Sequence, residues 1–349
     1  MGKIRLGIIG CGGMTDNHEE AFSKIKSQVE VTAVCDIVRE RAEKAGKILS
    51  APFITTDYRE MADHVDAVLV VLPHDLHYEC GIFFIRHKKH VLMEKPLCNS
   101  EQECLRLIQA AEEEGVTLMT AYPVRYWPGI RKLKELVDSK AYGESFQMSI
   151  WTEQHTEAPE GDWTNSARLG GGQFFSHGCH YIDILLWFFG DPEKGIHLGT
   201  NKCTPWMMRE GTSNATILFK NKKMGYHFGT WGSRGSKMGY DFQVICENGT
   251  LEYDHCSGEI RLWQCDELDN YDASGALKPK EILWKRSGEK SKETEHEILE
   301  FVDCINNHRK PITDAYSSLQ GLRVIWKMYD AEEHNRLADL SDIHFSSEE

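Results

Sequence analysis

Ile4-Arg5-Leu6-Gly7-Ile8-Ile9-Gly10-Cys11-Gly12-Gly13-Met14-Thr15 is the stretch that decides the fold. An apolar run with strand character, Ile4–Ile9, passes directly into a glycine-rich turn, and a helical pattern opens at Asp16. Gly10 and Gly12 hold the first two places of a G-x-G-x-x-G fingerprint. The first glycine permits the tight turn and the second lets the backbone approach a pyrophosphate, which rests on the positive N-terminus of the helix. Gly13 and Met14 complete the turn and are expected beside the same pyrophosphate. The third fingerprint place, normally Gly or Ala for close helix–strand packing, is Thr15.

A plain strand–helix turn needs the same glycines, so the next strand carries the decision. The candidate Glu30–Cys35 runs into Asp36, about 20 residues past the turn, where an acid accepts hydrogen bonds from an adenosine ribose. A carboxylate there repels a 2′-phosphate, which favours NAD and leaves NADP possible. Asp36 also suits a helix N-cap.

Further apolar strand candidates follow at Ala67–Leu72, His90–Met93 and Thr117–Thr120. They alternate with helical patterns near Asp16–Lys26, Val38–Ile48, Leu76–Arg86 and Glu101–Glu113. Continuous apolar strands between helices predict a parallel sheet covered on both faces, an N-terminal doubly wound Rossmann domain over residues 1–122. After Tyr122 the rhythm changes. A helix candidate at Ile130–Ser139 precedes a long strand candidate, Glu144–Gln154. From Ile196 to Trp284 the pattern is strand, turn, strand, with Ala215–Phe219, Gly225–Trp231, Phe242–Glu247 and Ile260–Gln264 as strands and Asn221-Lys222-Lys223 and Asn248-Gly249 as turns. Two helices close the chain, one carrying Ile298, Phe301, Val302 and Ile305 on one face and one from about Ser317 to Glu333. Residues 123–349 are therefore expected to form a C-terminal α+β domain with a large, mostly antiparallel open sheet, with the last helices packing back on the first domain.

The chain has 349 residues and a formal net charge of −14. That balance disfavours nucleic acid, whose backbone must be neutralised by Lys and Arg. No apolar run approaches the roughly 20 residues of a membrane span, and the opening residues carry no secretory signal pattern. The 11 cysteines are scattered without a Cys-x-x-Cys pair, as expected of reduced thiols in a cytoplasmic protein.

Beyond the turn, Val91-Leu92-Met93-Glu94-Lys95-Pro96-Leu97 ends a strand on an acid, a lysine and a proline. Pro73 and His77 follow the Ala67–Leu72 strand, Arg125 and Pro128 follow the Thr117–Thr120 strand, and Gly170-Gly171-Gly172 precedes His180-Tyr181-Ile182-Asp183. With the glycine turn, this set resembles the glucose–fructose oxidoreductase/inositol dehydrogenase/MocA-like family over residues 4 to about 335. The resemblance implies nicotinamide-dependent hydride transfer to or from a secondary alcohol of a sugar, glycoside or cyclitol.

Ligands of open parallel sheets bind at the carboxyl ends of strands, where Asp36, Pro73, Glu94 and Lys95 fall. The Lys95 ammonium can hydrogen-bond the reacting oxygen and relay its proton. By resemblance, Pro96 follows a cis peptide, and His180 is the second catalytic residue. The family usually carries Asp four residues before this histidine; here the residue is Ser176, with His177 beside it, which puts the usual Lys–Asp–His relay in doubt. His77 and Arg125 are candidates for the nicotinamide end, or for structural pairs. Tyr122, His155, Trp163, Ser176, His177 and Trp151 are candidates for the walls of a carbohydrate pocket. His177, His180 and Asp183 could share a helix side, but no metal is expected, because their spacing matches no zinc signature.

Two other readings stay open: a glycoside-cleaving enzyme that recycles tightly held NAD, and a non-catalytic dinucleotide-binding regulator. A homodimer or homotetramer is expected through the open sheet face.

Overall fold

The computed structural model describes residues 3–13, 21–264, 279–288 and 293–345; Met14, Thr15 and Asp16 lie outside the described residues. The first sheet has six parallel strands: β1 (Ile4–Ile9), β2 (Val29–Cys35), β3 (Phe53–Thr55), β4 (Ala67–Val70), β5 (His90–Glu94) and β6 (Leu118–Ala121). Their spatial order is β3-β2-β1-β4-β5-β6, so the chain reverses direction between β1 and β4. A ligand crevice opens at the carboxyl ends of strands at such a reversal. Every residue of β4 and β6 is buried, the signature of a strand covered on both faces.

The covering helices are α1 (Arg39–Leu49), α2 (His77–Arg86) and α3 (Glu101–Glu114). In α3 the Ser100 side chain accepts from the Glu103 amide, Cys104, Leu107, Ala110 and Ala111 face the core, and Gly115 at φ 65° ends the helix. β3 was not foreseen, because three residues are too few to show a period.

The remaining helices are α4 (Pro128–Asp138), α5 (Gln173–Ser176), α6 (Cys179–Phe189), α7 (Glu295–Asn307) and α8 (Ala315–Glu333). The second sheet holds β7 (Ser145–Glu153), β8 (Pro192–Thr200), β9 (Thr212–Phe219), β10 (Met224–Thr230), β11 (Tyr240–Cys246), β12 (Gly249–Asp254), β13 (Glu259–Trp263), β14 (Glu281–Lys285) and β15 (Ala338–Asp339). Its order is β14-β13-β12-β11-β7-β10-β9-β8-β15, antiparallel throughout except where β7 meets β10. Cys246 pairs with Gly249, so the β11–β12 hairpin turns on Glu247-Asn248, one residue earlier than expected.

One face of this sheet, with Ile150, Ile217, Phe219, Phe242 and Val244, packs on α6 and α8, both rich in buried apolar side chains. Trp151 points to the other face, edge-on to Tyr226, and so lines no pocket on the helix-covered side. Helix α7 crosses back to the first sheet, where Ile298, Phe301, Val302 and Ile305 join Leu6, Ile8, Leu69, Leu92 and Met119 in one core.

The seam between the sheets is polar. Arg125, after β6, donates from Nε and Nη2 to the two carboxyl oxygens of Asp183 on α6, both at 2.6 Å, and from Nη1 to the Ile312 carbonyl at 2.7 Å. The two side chains are 3% and 1% exposed. Arg125 is thus committed to holding α6 and is corrected from a nicotinamide-site candidate: all three of its nitrogens are engaged away from any ligand. Both oxygens of Asp183 are likewise turned to the guanidinium inside a buried contact. Burial pushes the Asp183 carboxyl above its ordinary range, and the guanidinium opposes that shift. Removing one partner of a buried pair strands the other charge. Asp183→Asn is therefore expected to cost about 3–5 kcal/mol, read as a lower urea midpoint, whereas the double change Arg125→Met with Asp183→Leu recovers most of it.

Candidate active site

The crevice begins at the glycine turn. Gly10 has φ +93°, and a side chain there would overlap the Val71 carbonyl oxygen, so only glycine lets β1 and β4 approach this closely. Among the described residues, a side chain built at Gly12 or Gly13 would meet nothing within 4 Å. Asp36 closes the other side: its Oδ2 accepts from the Cys11 amide and its Oδ1 from the Val38 amide, both at 2.8 Å. Helix α1 starts at Arg39, after Val38, so Asp36 is not its N-cap. Each carboxylate oxygen keeps a second lone pair for a hydroxyl donor. Ile37, the next residue, is 90% exposed.

At the ends of β4 and β5 the structure redistributes roles. Pro73 leads into a short 3₁₀ turn, His74–Leu76. His77 is fully buried, with Nδ1 2.8 Å from the Pro96 carbonyl and Nε2 3.0 Å from the Leu72 carbonyl. Both ring nitrogens face backbone carbonyls, and the neutral ring donates to one of them, so His77 is corrected from a ligand-lining residue to a brace between β4 and the turn after Lys95. Its pKa is lowered by burial. His74, not anticipated, bonds through Nδ1 to the Leu169 carbonyl at 2.9 Å and meets the edge of half-buried Trp163 at 4.8 Å.

Glu94 is buried at the end of β5, and Lys95 follows with a cis bond to Pro96. The Lys95 Nζ reaches the second half of the molecule and donates to the Ser176 carbonyl at 3.1 Å. That carbonyl lies one turn ahead of His180, near the start of α6.

The segment that receives Lys95 is held by buried polar groups. A side chain at Gly172 would collide with the Glu210 carboxylate. Glu210 Oε1 accepts from the Phe174 amide at 3.0 Å and from the Tyr329 hydroxyl at 2.6 Å, while the Gly172 amide donates to that hydroxyl at 3.1 Å. Burial raises the Glu210 carboxyl above its ordinary range.

Gln173 fixes the next residue. Its Oε1 accepts from Ser213 Oγ at 2.8 Å, which turns its amide nitrogen to His177 Nδ1 at 3.2 Å. A donor on Nδ1 places the proton of a neutral imidazole on Nε2. That nitrogen lies 3.5 Å from the Tyr181 hydroxyl and 3.4 Å from the Tyr240 hydroxyl, and burial raises both phenols above their ordinary range.

Around His180 the ring of Tyr122 lies edge-on at 5.5 Å and that of His177 at 5.9 Å. Tyr122 is buried, with its hydroxyl accepting from Ser318, so it backs His180 and is corrected from a pocket wall. His155 is exposed beside Glu157 and bridges through its backbone to Gly232. Trp231 lies 6.3 Å from His177 and parallel to Trp206. Glu210, Gln173, Tyr240 and Trp231 were all missed, since each reaches the site from a different part of the chain and none sits in a motif.

Comparison with known proteins agrees with this architecture. Residues 4–122 match the model of the Gfo/Idh/MocA oxidoreductase family, NAD-binding Rossmann fold, and residues 130–252 match the Gfo/Idh/MocA C-terminal domain. The chain is 25% identical over 330 residues to the uncharacterized oxidoreductase YrbE of Bacillus subtilis, covering 92% of each chain. It is 26% identical over 257 residues to the inositol 2-dehydrogenase/D-chiro-inositol 3-dehydrogenase of Lactiplantibacillus plantarum, covering 71% of each. The fold superposes on levoglucosan dehydrogenase, solved with NADH and L-sorbose, with a TM-score of 0.86 at 18% identity, covering 97% of this chain and 99% of that one. With two family models spanning most of its length and a glycine turn closed by Asp36, the chain belongs to the Gfo/Idh/MocA family of NAD(P)-binding oxidoreductases.

Proposed function

We propose that the protein interconverts a secondary alcohol and a ketone on a sugar, glycoside or cyclitol, with Lys95 and His180 handling the proton. The observation that carries this reading is the reach of Lys95 Nζ from the end of β5 to the Ser176 carbonyl, one turn before His180. A bound dinucleotide supplies the hydride acceptor or donor at nicotinamide C4. The glycine turn, tight at Gly10, and the fixed Asp36 carboxylate suit its pyrophosphate and ribose.

In the oxidative direction, the Lys95 ammonium stabilises the developing alkoxide and His180 accepts the hydroxyl proton; in reduction the same groups return it. His177 Nε2–H, Tyr181 and Tyr240 offer hydroxyl-reading groups, and Trp231 and Trp163 supply flat half-buried faces for a ring. Relatives named as inositol dehydrogenases support the substrate class. We take the domain boundary at Tyr122/Pro123, just past the last strand of the parallel sheet. Ten free thiols among the described residues support a cytoplasmic setting, and no described helix is long and apolar enough to cross a membrane.

The outer face of the second sheet exposes Ile196, Leu198 and Met224 beside half-buried Phe228 and Ile245, which supports a homodimer or homotetramer built on that face. Light scattering after size exclusion is expected to give an oligomer at micromolar protein, and a monomer would remove this part of the proposal.

Two substitutions test the site. Lys95→Ala is expected to lower kcat by about 10²–10⁴-fold while NADH still binds, measured by nicotinamide absorbance against a panel of sugars, glycosides and inositols; parental turnover would refute the role of Lys95. Asp36→Asn removes a charged acceptor and is expected to weaken NAD by about 10–100-fold and narrow its advantage over NADP, read by fluorescence titration. An unchanged NAD/NADP ratio would contradict the ribose role.

A further inference from the structure

Residues 163–170 belong to the second half of the chain but are fastened to the first. Two 3₁₀ turns, Trp163–Asn165 and Ala167–Leu169, shape this strap. A side chain opens each: Asp162 accepts from the Thr164 amide at 2.9 Å and Ser166 from the Arg168 amide at 3.4 Å. Three hydrogen bonds tie the strap to the first half. His74 Nδ1 donates to the Leu169 carbonyl at 2.9 Å, Arg168 Nε to Asp75 Oδ2 at 2.9 Å, and Asn99 Nδ2 to the Arg168 carbonyl at 3.1 Å. His74 and Asp75 stand in the turn after β4, and Asn99 in the loop that follows Lys95 and Pro96. Gly170 has φ +77°, and a side chain there would overlap the Asn99 amide.

Of the three bonds, the one from His74 is buried and the other two are exposed. Water competes for the exposed bonds and not for the buried one, so the imidazole bears most of the fastening. Burial first, then Lys95 and His77, hold the His74 pKa well below the usual histidine range. The ring is therefore neutral and carries its proton on Nδ1, since a carbonyl only accepts.

The same ring touches three neighbours. It meets Trp163 edge-on at 4.8 Å, Phe175 at 6.3 Å and His77 at 5.7 Å between ring centroids. Phe175 precedes Ser176, whose carbonyl takes Lys95, and His77 braces the turn after Lys95. His74 thus fixes Trp163 relative to the elements that hold the lysine.

We propose that His74 is a positioning residue for substrate recognition. By holding the strap at Leu169 and backing Trp163, it sets how far that tryptophan stands from Lys95, and so which ring fits between them. The inference rests on the reading that a sugar or cyclitol ring lies beside Lys95 with Trp163 as one wall. A flat face attracts a ring only at contact distance, because dispersion falls off within an ångström. His74 acts through Trp163, so its loss weakens substrate capture and spares the hydride and proton steps.

Steady-state kinetics of the full-length protein, read by nicotinamide absorbance, separates these effects. The substrate is whichever of the sugars, glycosides and inositols the parent turns over fastest. His74→Phe keeps a ring against Trp163 and removes the donor. It is expected to raise KM about tenfold, with kcat and the Kd for NADH within about twofold of the parent. His74→Asn presents an amide N–H near the place of Nδ1 and is expected to bring KM back to within about threefold. Trp163→Ala should raise KM at least as much, and adding His74→Phe to it should cost nothing further, the signature of two residues acting as one unit. Hydrogen exchange read by mass spectrometry is expected to show the amides of residues 163–170 losing protection in His74→Phe and keeping it in His74→Asn. Should His74→Phe fail to fold, Asn99→Ala loosens the strap at its other fastening and must raise KM without lowering kcat. An unchanged KM, a fall in kcat in place of the rise in KM, or additive costs in the double variant would overturn the role of His74 while leaving the Lys95 reading intact. A parent that turns over none of these compounds would take down the enzyme reading and this inference with it.

Discussion

A guanidinium with all its nitrogens engaged and a carboxylate with both oxygens engaged, both out of water, set the frame of the molecule. Arg125 leaves the last strand of the parallel sheet, Asp183 sits on the helix that carries His180, and the Ile312 carbonyl precedes the last helix. Asp183 and His180 are three residues apart, on one side of α6, so fixing one fixes the other. The same seam is stitched by the Thr120 amide on the Thr313 carbonyl and by Thr313 Oγ1 on the Thr120 carbonyl. A buried ion pair adds little net stability against an apolar alternative, but its bidentate geometry tolerates few arrangements. Its value here is orientation, because it holds the helix that carries His180 against the sheet that ends on Lys95.

The second requirement is a rigid turn between the glycine run and α6. That turn carries little apolar bulk of its own, so polar groups from elsewhere define it. Glu210 and Tyr329 satisfy the amides of Gly172 and Phe174, and Gln173 links Ser213 to His177. Glycine at 172 is required by space, since the Glu210 carboxylate fills the volume a side chain would occupy. A loop clamped in this way presents the Ser176 carbonyl at one position, and the lysine finds it there.

The parallel sheet was readable because its strands are buried on both faces and so appear as unbroken apolar runs, as in β1 and β4. The antiparallel sheet was readable in outline through its turns, but β3 and β15 are too short to show any period. Motif residues at strand ends were placed correctly along the chain, while their partners were not visible. Arg125 and His77 looked like ligand residues because their partners, Asp183 and the Leu72 and Pro96 carbonyls, are fixed by tertiary packing. Glu297 was overlooked for the opposite reason. An acid in the first turn of an amphipathic helix reads as a solvent-facing residue, and only the position of α7 against the first sheet puts it inside.

Replacing the family's usual aspartate by Ser176 changes the character of the site more than its shape. The lysine keeps a hydrogen-bond acceptor at that position, but the acceptor is a backbone carbonyl, a dipole without net charge. Beyond the Lys95 ammonium, the groups around His177 are uncharged: a histidine whose Nε2–H points to two phenols, the phenols themselves, and tryptophan faces. The acids Asp36 and Glu94 stand instead at the ends of β2 and β5, the side proposed for the dinucleotide. A half-buried wall of neutral donors and acceptors recognises hydroxyls well and compensates a charged substituent poorly, because an unpaired charge in such a place keeps its desolvation cost.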